Sequence, residues 1–129
     1  MQNPSPEHQK LVFSLMSYFK NKLGHTILAA AYTGFNEPDK HGRHEPDIVT
    51  KDSQGILHLS EGKVGDDILS ETSEEQFWDF SSRVMNGTNI VVPFHIIVYE
   101  QDKPILENRL AQIGLNQLID NGITIWTLP

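Results

Sequence analysis

The sequence contains no cysteine, no long apolar run and few basic residues, and each absence excludes a class of protein. Without cysteine among its 129 residues, the chain forms no disulfide and no thiolate metal site. No apolar stretch approaches the roughly 20 residues that cross a bilayer, and the N-terminus lacks the features of a signal peptide. We therefore expect a cytoplasmic protein that does not enter a membrane.

The basic residues are also unevenly distributed. Residues 1–64 hold seven Lys/Arg and seven Asp/Glu, whereas residues 65–129 hold three against ten, which accounts for the net charge of −7. Phosphate binding usually relies on clustered Lys and Arg, so the first half is the less repulsive half for a polyanion. The length, with 38% apolar and 21% charged residues, fits one domain that spans residues 1–129.

Hydrophobic periodicity and turn signals predict eight elements in the order αβββαβαβ. The predicted helices are 5–23, 73–85 and 104–120. The predicted strands are 26–35, 46–51, 56–64, 89–100 and 123–128. Pro93 interrupts the fourth strand and should cause a local bulge or mark its true start. Ser5 and Thr72 are the expected N-caps of the first two helices, and Gly114 is a point where the third can break. Short strands with intervening helices favour an α/β fold, with one mixed sheet flanked by helices on both faces.

One predicted hairpin carries a group of charged residues. Its turn, 52–55, has a polar opener and a glycine that can take a positive φ. Glu61 and Lys63 lie two residues apart on the second strand, so they point to the same face. Asp47 begins the first strand, and in a hairpin the start of one strand meets the end of the other. We therefore expect Asp47 to lie close to Glu61.

Two converging carboxylates at the end of a sheet suit a hard divalent cation. Mg²⁺ is commonly bound by one or two carboxylates and keeps several waters, and the carbonyl of Gly62 is a further candidate ligand. A bound metal lowers the pKa of its water and so generates a nucleophile. Lys63 is placed to orient that water or to stabilise charge on a phosphoryl oxygen.

The motif resembles that of a known nuclease superfamily. Pro46-Asp47, thirteen intervening residues and then Glu61-Gly62-Lys63 are similar to the PD-(D/E)XK motif of restriction-endonuclease-like enzymes. The predicted order of elements is also similar to the common core of that superfamily. The resemblance implies hydrolysis of phosphodiester bonds with Mg²⁺ or Mn²⁺, with Asp47 and Glu61 as metal ligands and Lys63 as the catalytic lysine.

Two further positions match weaker features of the superfamily. Many members have a glutamate on the first helix that contacts the metal or its waters, and Glu7 is the candidate here. Many also have a Gln-x-x-x-Tyr on the helix after the lysine. This chain has Gln76 but Phe80 in place of the tyrosine, so a hydroxyl role at position 80 is in doubt, whereas Gln76 is a candidate for orienting the strand that is cut.

Several other residues have structural interpretations as well as functional ones. We expect His58 and His95 to be packed, hydrogen-bonded histidines, because His58 faces away from Glu61 and His95 lies in an apolar strand. Trp78 and Trp126 are expected in the core. The histidines and Arg43 of the loop 36–45 are more readily explained as a polar loop than as phosphate ligands.

Three functions remain compatible with the sequence. The first is a metal-dependent nuclease that acts on DNA rather than RNA, directed by substrate structure or by a partner protein, and able to act as a homodimer. The second is a non-catalytic binding or assembly module on the same fold, which the acidic second half favours. The third is a metal-dependent hydrolase of small phosphoesters, for which the charge balance is no obstacle.

Overall fold

The computed structural model describes residues 5–129, which form an α/β fold with three α-helices and one five-stranded mixed sheet. The helices are α1 (Pro6–Asn21), α2 (Glu71–Ser81) and α3 (Lys103–Gln112). The strands are β1 (Thr26–Ala30), β2 (Ile48–Lys51), β3 (Leu57–Gly62), β4 (Phe94–Tyr99) and β5 (Ile123–Leu128). Short 3-10 helices lie at Gly65–Leu69, Glu100–Asp102 and Asn116–Leu118. The predicted order αβββαβαβ is therefore confirmed.

The five strands lie side by side in chain order. The pairs β1–β2 and β2–β3 are antiparallel, whereas the pairs β3–β4 and β4–β5 are parallel. The antiparallel pairs are joined by direct loops, and each parallel pair is joined through a helix, as a crossover between parallel strands requires. The single mixed sheet is as predicted.

Each face of the sheet carries a separate apolar core. α1 contributes Leu11, Val12, Leu15, Met16 and Phe19 to one face, where they pack against Ala30, Ile48 and Ile97. α2 and α3 cover the other face with Phe77, Phe80, Leu106 and Leu110, packed against Leu59, Ile96 and Val98. Successive strand residues alternate between these two cores, which is why β4 is almost continuously buried and apolar.

Several element boundaries differ from the predicted ones. β1 ends at Ala30 rather than 35, because the chain turns over residues 32–35. Helix α2 begins two residues earlier than predicted, with Ser70 rather than Thr72 as its N-cap, and Ser70 Oγ accepts the Ser73 N–H at 3.0 Å. Strand β4 begins at Phe94 rather than at residue 89. Pro93, which lacks the N–H that a ladder requires, therefore marks the true start of the strand, which is one of the two outcomes expected for it.

The hairpin between β2 and β3 forms as predicted. Asp52 Oδ1 accepts the N–H groups of Gln54 and Ile56 at 2.9 and 3.0 Å, and Gly55 has a φ of +83°. A side-chain acceptor and a residue free to take positive φ are the two requirements of such a turn. The turn thereby fixes the register in which Ile48 lies opposite Ser60 at the far end of the hairpin.

A chain of hydrogen bonds links the buried histidines. The Trp126 indole N–H can only donate, so His95 Nδ1 accepts it at 2.9 Å and the His95 proton lies on Nε2. That proton is donated to His58 Nδ1 at 2.9 Å, and His58 Nε2 donates to Asp52 Oδ2 at 3.0 Å. This arrangement requires a neutral His95, and both histidines are packed and hydrogen-bonded, as expected.

The two tryptophans differ in their environment. Trp126 is partly buried against the α1 core. The prediction that Trp78 is a core residue was wrong, because it is 47% exposed on the outer side of α2. No helix within residues 5–129 combines the length and the apolar character that crossing a membrane would need.

The buried His95 predicts a loss of stability in acid. Burial, aided by the charges of His58 and His25, lowers the pKa of His95 from 6.5 to about 3. Below pH ~6.5 His95 binds a proton in the unfolded chain but not in the folded chain, so the free energy of unfolding falls as pH drops towards 3. The expected total loss is on the order of 4–5 kcal/mol, measured by urea unfolding across this range.

The variant His95→Gln should show a shallower dependence of stability on pH than the parent between pH 6.5 and 4, whatever its absolute stability. An identical slope in the two proteins would contradict the assignment of this acid sensitivity to His95.

Candidate functional site

The open end of the β2–β3 hairpin brings Asp47 and Glu61 together. The Asp47 N–H donates to the Ser60 carbonyl at 3.0 Å and to Glu61 Oε1 at 3.1 Å. Asp47 directly precedes β2, and Glu61 lies near the end of β3, so the ladder register alone places them side by side. The juxtaposition expected from the hairpin is therefore present.

Lys63 and Gln76 complete a cluster of interacting polar groups. Lys63 follows β3, and its Nζ donates to Gln76 Oε1 on α2. The same Nζ lies 3.9 Å from Glu61 Oε2 and 3.6 Å from Asp67 Oδ2. Glu61 is only 2% exposed and Lys63 only 5%. The structure thus brings Asp47, Glu61, Lys63 and Gln76 into one site.

The two carboxylates respond differently to this environment. Burial and the neighbouring Asp47 raise the pKa of Glu61 well above its ordinary value, despite the opposing effect of Lys63. Burial also disfavours the charged form of Asp47, but hydrogen bonds from His8 and the Gly62 N–H hold its pKa below the usual range. The environment therefore favours the charged form of Asp47 over that of Glu61, and a nearby positive charge such as Lys63 favours ionisation of Glu61.

His8 is a site residue that sequence reasoning missed. Its Nε2 donates to Asp47 Oδ2 at 2.9 Å, and Asp47 raises the pKa of His8 above its ordinary value although burial acts to lower it. Ser5, the N-cap of α1 as predicted, accepts the His8 N–H at 3.1 Å and fixes the start of the helix. The sequence contains a signal for this position, since His8 lies three and four residues before the buried Leu11 and Val12 and therefore on the same face of the helix.

Glu7, the candidate on the first helix, occupies a different position. It is exposed, its carbonyl accepts the Tyr99 hydroxyl at 2.9 Å, and it lines a separate shallow depression with Lys10 and Glu100. The structure therefore does not bring Glu7 together with Asp47, and the α1 side chain that reaches this carboxylate is His8.

Gly62 serves the site through its backbone and its lack of a side chain. Its N–H donates to Asp47 Oδ2 at 2.9 Å. A Cβ at this position would lie 3.3 Å from the Leu11 Cβ and 3.6 Å from a Val12 methyl. Glycine therefore allows α1 to approach β3 closely enough for His8 to reach Asp47.

The site opens into a cleft of about 630 Å³. Its floor is formed by His8, Asp47, Glu61, Lys63 and Gln76. One wall is the segment that follows β1, including Tyr32 and Phe35, and the other lining residues include the acidic Glu37, Glu45 and Asp67. A cleft of this size is typical of sites that bind small ligands or short segments of a polymer.

The loop 36–45 is attached to α2 by its backbone. Asp79 Oδ2 accepts the Arg43 N–H at 2.8 Å, and a Cβ on Gly42 would lie 2.8 Å from the Asp79 carboxyl group. Arg43 and His44 thus face the acids of α2. Phe80, found where the superfamily has a tyrosine, is fully buried against Phe94 and contributes to the core.

The carboxylates of Asp47 and Glu61 are too few to form a complete protein cage around a metal ion. They would suit Mg²⁺ or Mn²⁺ better than they would suit an ion that needs such a cage. Within residues 5–129, no group of three or more His, Asp and Glu side chains could hold a metal ion. Asp47 and Glu61 offer two carboxylates, which suits an ion that keeps several waters. Two buried atoms of cleft residues, His8 Nδ1 and Gln9 Oε1, have no partner and are suited to hold ordered water.

Replacing Gly62 tests the close approach of α1. We expect Gly62→Ala to lower the free energy of unfolding by about 1–3 kcal/mol, because the new methyl group must displace Leu11 in a packed core. Ser60→Ala is the matched control, since Ser60 is equally buried and its Oγ has no partner, so its loss should be close to neutral. Urea denaturation measures both, and equal stability of the two variants would contradict this packing.

Metal binding should raise the thermal stability of the protein. A ligand that binds only the folded state at about 100 times its Kd adds about 2.7 kcal/mol. We expect Mn²⁺ and Mg²⁺ to raise the melting temperature of the parent protein, and Glu61→Gln to abolish the shift. Asp67→Asn is the control, because Asp67 contacts the same lysine but its side chain is 55% exposed. If Asp67→Asn abolished the rise in melting temperature and Glu61→Gln did not, the metal would have to be assigned to Asp67 rather than to Glu61.

No protein-family model, no curated protein and no solved structure matches the chain. The similarity to PD-(D/E)XK nucleases is therefore a resemblance carried by Pro46, Asp47, Glu61 and Lys63 and by the order of the elements around them. The function has to be argued from the chemistry of these residues.

Proposed function

We propose that the chain is a Mg²⁺- or Mn²⁺-dependent nuclease that hydrolyses phosphodiester bonds of DNA. The observation that carries the proposal is the buried Glu61–Lys63 pair, which lies beside Asp47 at the floor of an open cleft. Burying a carboxylate and an ammonium group is unfavourable, and a purely structural role could be met by apolar side chains of similar size. Their burial at a cleft therefore supports a chemical role.

Each residue of the cluster has a role in the proposed reaction. Asp47 and Glu61 would hold the metal, which supplies an activated water and neutralises phosphate charge when bound. Lys63 Nζ, held by Gln76 Oε1, is positioned to stabilise negative charge that develops on a phosphoryl oxygen. The remaining amide N–H groups of Gln76 are free to orient the strand, and His8 positions Asp47.

The charge distribution favours a substrate selected by structure or delivered by a partner. Lys63 is the one Lys or Arg among the described residues that line the cleft, whereas Glu37, Glu45 and Asp67 also line it. A protein that binds duplex backbone by charge alone needs many phosphate contacts. We therefore propose a structure-directed enzyme or a module that works with a partner protein, or with a second copy of itself, rather than one that binds any duplex tightly.

Cleavage assays test the proposal directly. Plasmid, single-stranded and branched DNA are incubated with the purified protein and Mg²⁺ or Mn²⁺. We expect cleavage of at least one substrate, and a loss of rate of about 100-fold or more in Asp47→Ala and in Lys63→Ala, because each removes a group that stabilises the transition state.

Glu107→Ala and Lys103→Ala are matched controls, since both residues are exposed on α3 and lie outside the cleft. Cleavage that survives both site substitutions would contradict the proposed site. Absence of cleavage and of metal binding would favour the binding module, whereas hydrolysis of nucleotides but not of polymers would favour the hydrolase of small phosphoesters.

A further inference from the structure

We infer that the substrate enters the cleft as unpaired nucleotides of a single DNA strand, whose bases stack on Tyr32 and Phe35. The inference rests on the proposed nuclease function and specifies its substrate class. It derives from three features of the cleft: two aromatic residues held next to the catalytic carboxylate, a shortage of cations, and a volume too small for a duplex.

The two aromatic residues belong to a turn that is fastened to the site. The segment 32–35, called here the aromatic turn, is closed by a hydrogen bond from the Phe35 N–H to the Tyr32 carbonyl at 3.3 Å. Gly34 supports the turn with a φ of +93°. The Ala31 N–H donates to the Asp47 carbonyl at 2.7 Å, so the turn begins one residue away from a backbone contact with the proposed metal ligand.

These rings are available to a ligand. Phe35 is 41% exposed and Tyr32 is half-buried, and both residues line the cleft that contains Glu61 and Lys63. Phe13 packs on Tyr32 with 5.5 Å between ring centroids, which supports the tyrosine from the side of α1. An exposed phenylalanine and a half-buried tyrosine beside a buried polar cluster combine a surface for bases with a site for phosphate.

The charges of the cleft oppose a substrate that is held mainly by its phosphates. Lys63 Nζ is already shared among Gln76, Glu61 and Asp67, and it is the sole Lys or Arg of the cleft lining between residues 5 and 129. Binding of a duplex backbone depends on several such cations, whereas stacking of a base on an aromatic ring requires none. Stacking therefore supplies the affinity that the charges do not.

The size of the cleft also favours an unpaired strand over a duplex. About 630 Å³ lies within the range of pockets that enclose small ligands, roughly 300–1,000 Å³. Such a cleft accommodates a short unpaired segment but not a continuous duplex. Enzymes that must bring a base into a pocket act on single-stranded substrate or extrude the nucleotide from the helix. Bases that stack on Tyr32 and Phe35 must likewise leave the helix, and a strand that is already unpaired avoids the free-energy cost of extrusion.

Binding measurements separate stacking from charge. A short fluorescent oligothymidylate, the same oligonucleotide with abasic sites, and its duplex with oligoadenylate are titrated with protein in Mg²⁺, with anisotropy as the readout. The Lys63→Ala background prevents cleavage, and Asp47→Asn replaces it should the first variant fail to fold. We expect the single strand to bind more tightly than either the abasic strand or the duplex.

Substitutions in the aromatic turn should weaken only the stacking. Phe35→Ala is expected to lower affinity for the single strand about 5- to 150-fold and to leave the weak binding of the abasic strand unchanged. Tyr32→Phe should retain affinity because it keeps the ring. Trp78→Ala is the matched control, since it removes an aromatic residue of similar exposure outside the cleft.

The outcomes distinguish this inference from the proposed function. Normal cleavage with equal affinity for single strand, abasic strand and duplex would overturn the inference and leave the nuclease intact. Stacking-dependent binding without cleavage of any DNA by the parent protein would support the strand-binding surface and contradict the nuclease. Displacement of the strand by thymidine monophosphate at a similar concentration would also overturn the inference, in favour of a small substrate.

Discussion

The register between β2 and β3 is the constraint on which the site depends. Because Ile48 pairs with Ser60, Asp47 lies next to Glu61, and its N–H donates to both the strand and the carboxylate. A slip of one residue would turn Glu61 and Lys63 towards α1, and would turn the strand residues that now pack against α1 towards α2 and α3. The apolar cores on the two faces of the sheet therefore stabilise the strand register that brings the polar cluster together.

Most of the fold could be predicted from the sequence because its determinants are local. The Asp52–Gly55 turn, the apolar stripe of α1 and the run of apolar residues in β4 specify their elements without help from distant residues. The proximity of Asp47 to Glu61 followed from the turn and from strand alternation alone. The order of elements could be predicted for the same reason, although the end of β1 and the start of β4 depend on loop contacts and on Pro93.

The parts of the site that come from the packing of separate elements could not be predicted in this way. Whether Glu7 or His8 reaches Asp47 depends on the rotation of α1 about its axis, which is set by the packing of Leu11 and Val12 against Gly62. The contact between Lys63 and Gln76 depends likewise on how α2 lies on the sheet. The aromatic turn falls at the end of the predicted strand 26–35, and nothing in that pattern indicates a role for Tyr32 or Phe35.

The electrostatics of the cluster connect the fold to the proposed chemistry. Asp47 is stabilised as an anion by His8 and Gly62, whereas burial beside Asp47 opposes the ionisation of Glu61. A bound divalent cation would relieve this repulsion and would offset the charge of an incoming phosphate, which the acidic second half of the chain does not. The acidic chain is then compatible with a nuclease, provided that the metal and the aromatic turn supply what a basic groove supplies in other proteins.

A crystal structure with bound Mn²⁺ tests the central claim most directly. Anomalous scattering locates the ion without any assumption about activity. The account predicts one strong peak between Asp47 and Glu61, within about 2.0–2.3 Å of an oxygen of each carboxylate, with waters in the remaining positions. A well-diffracting crystal grown in excess Mn²⁺ that shows no peak there, or a peak held by other residues instead, would contradict it.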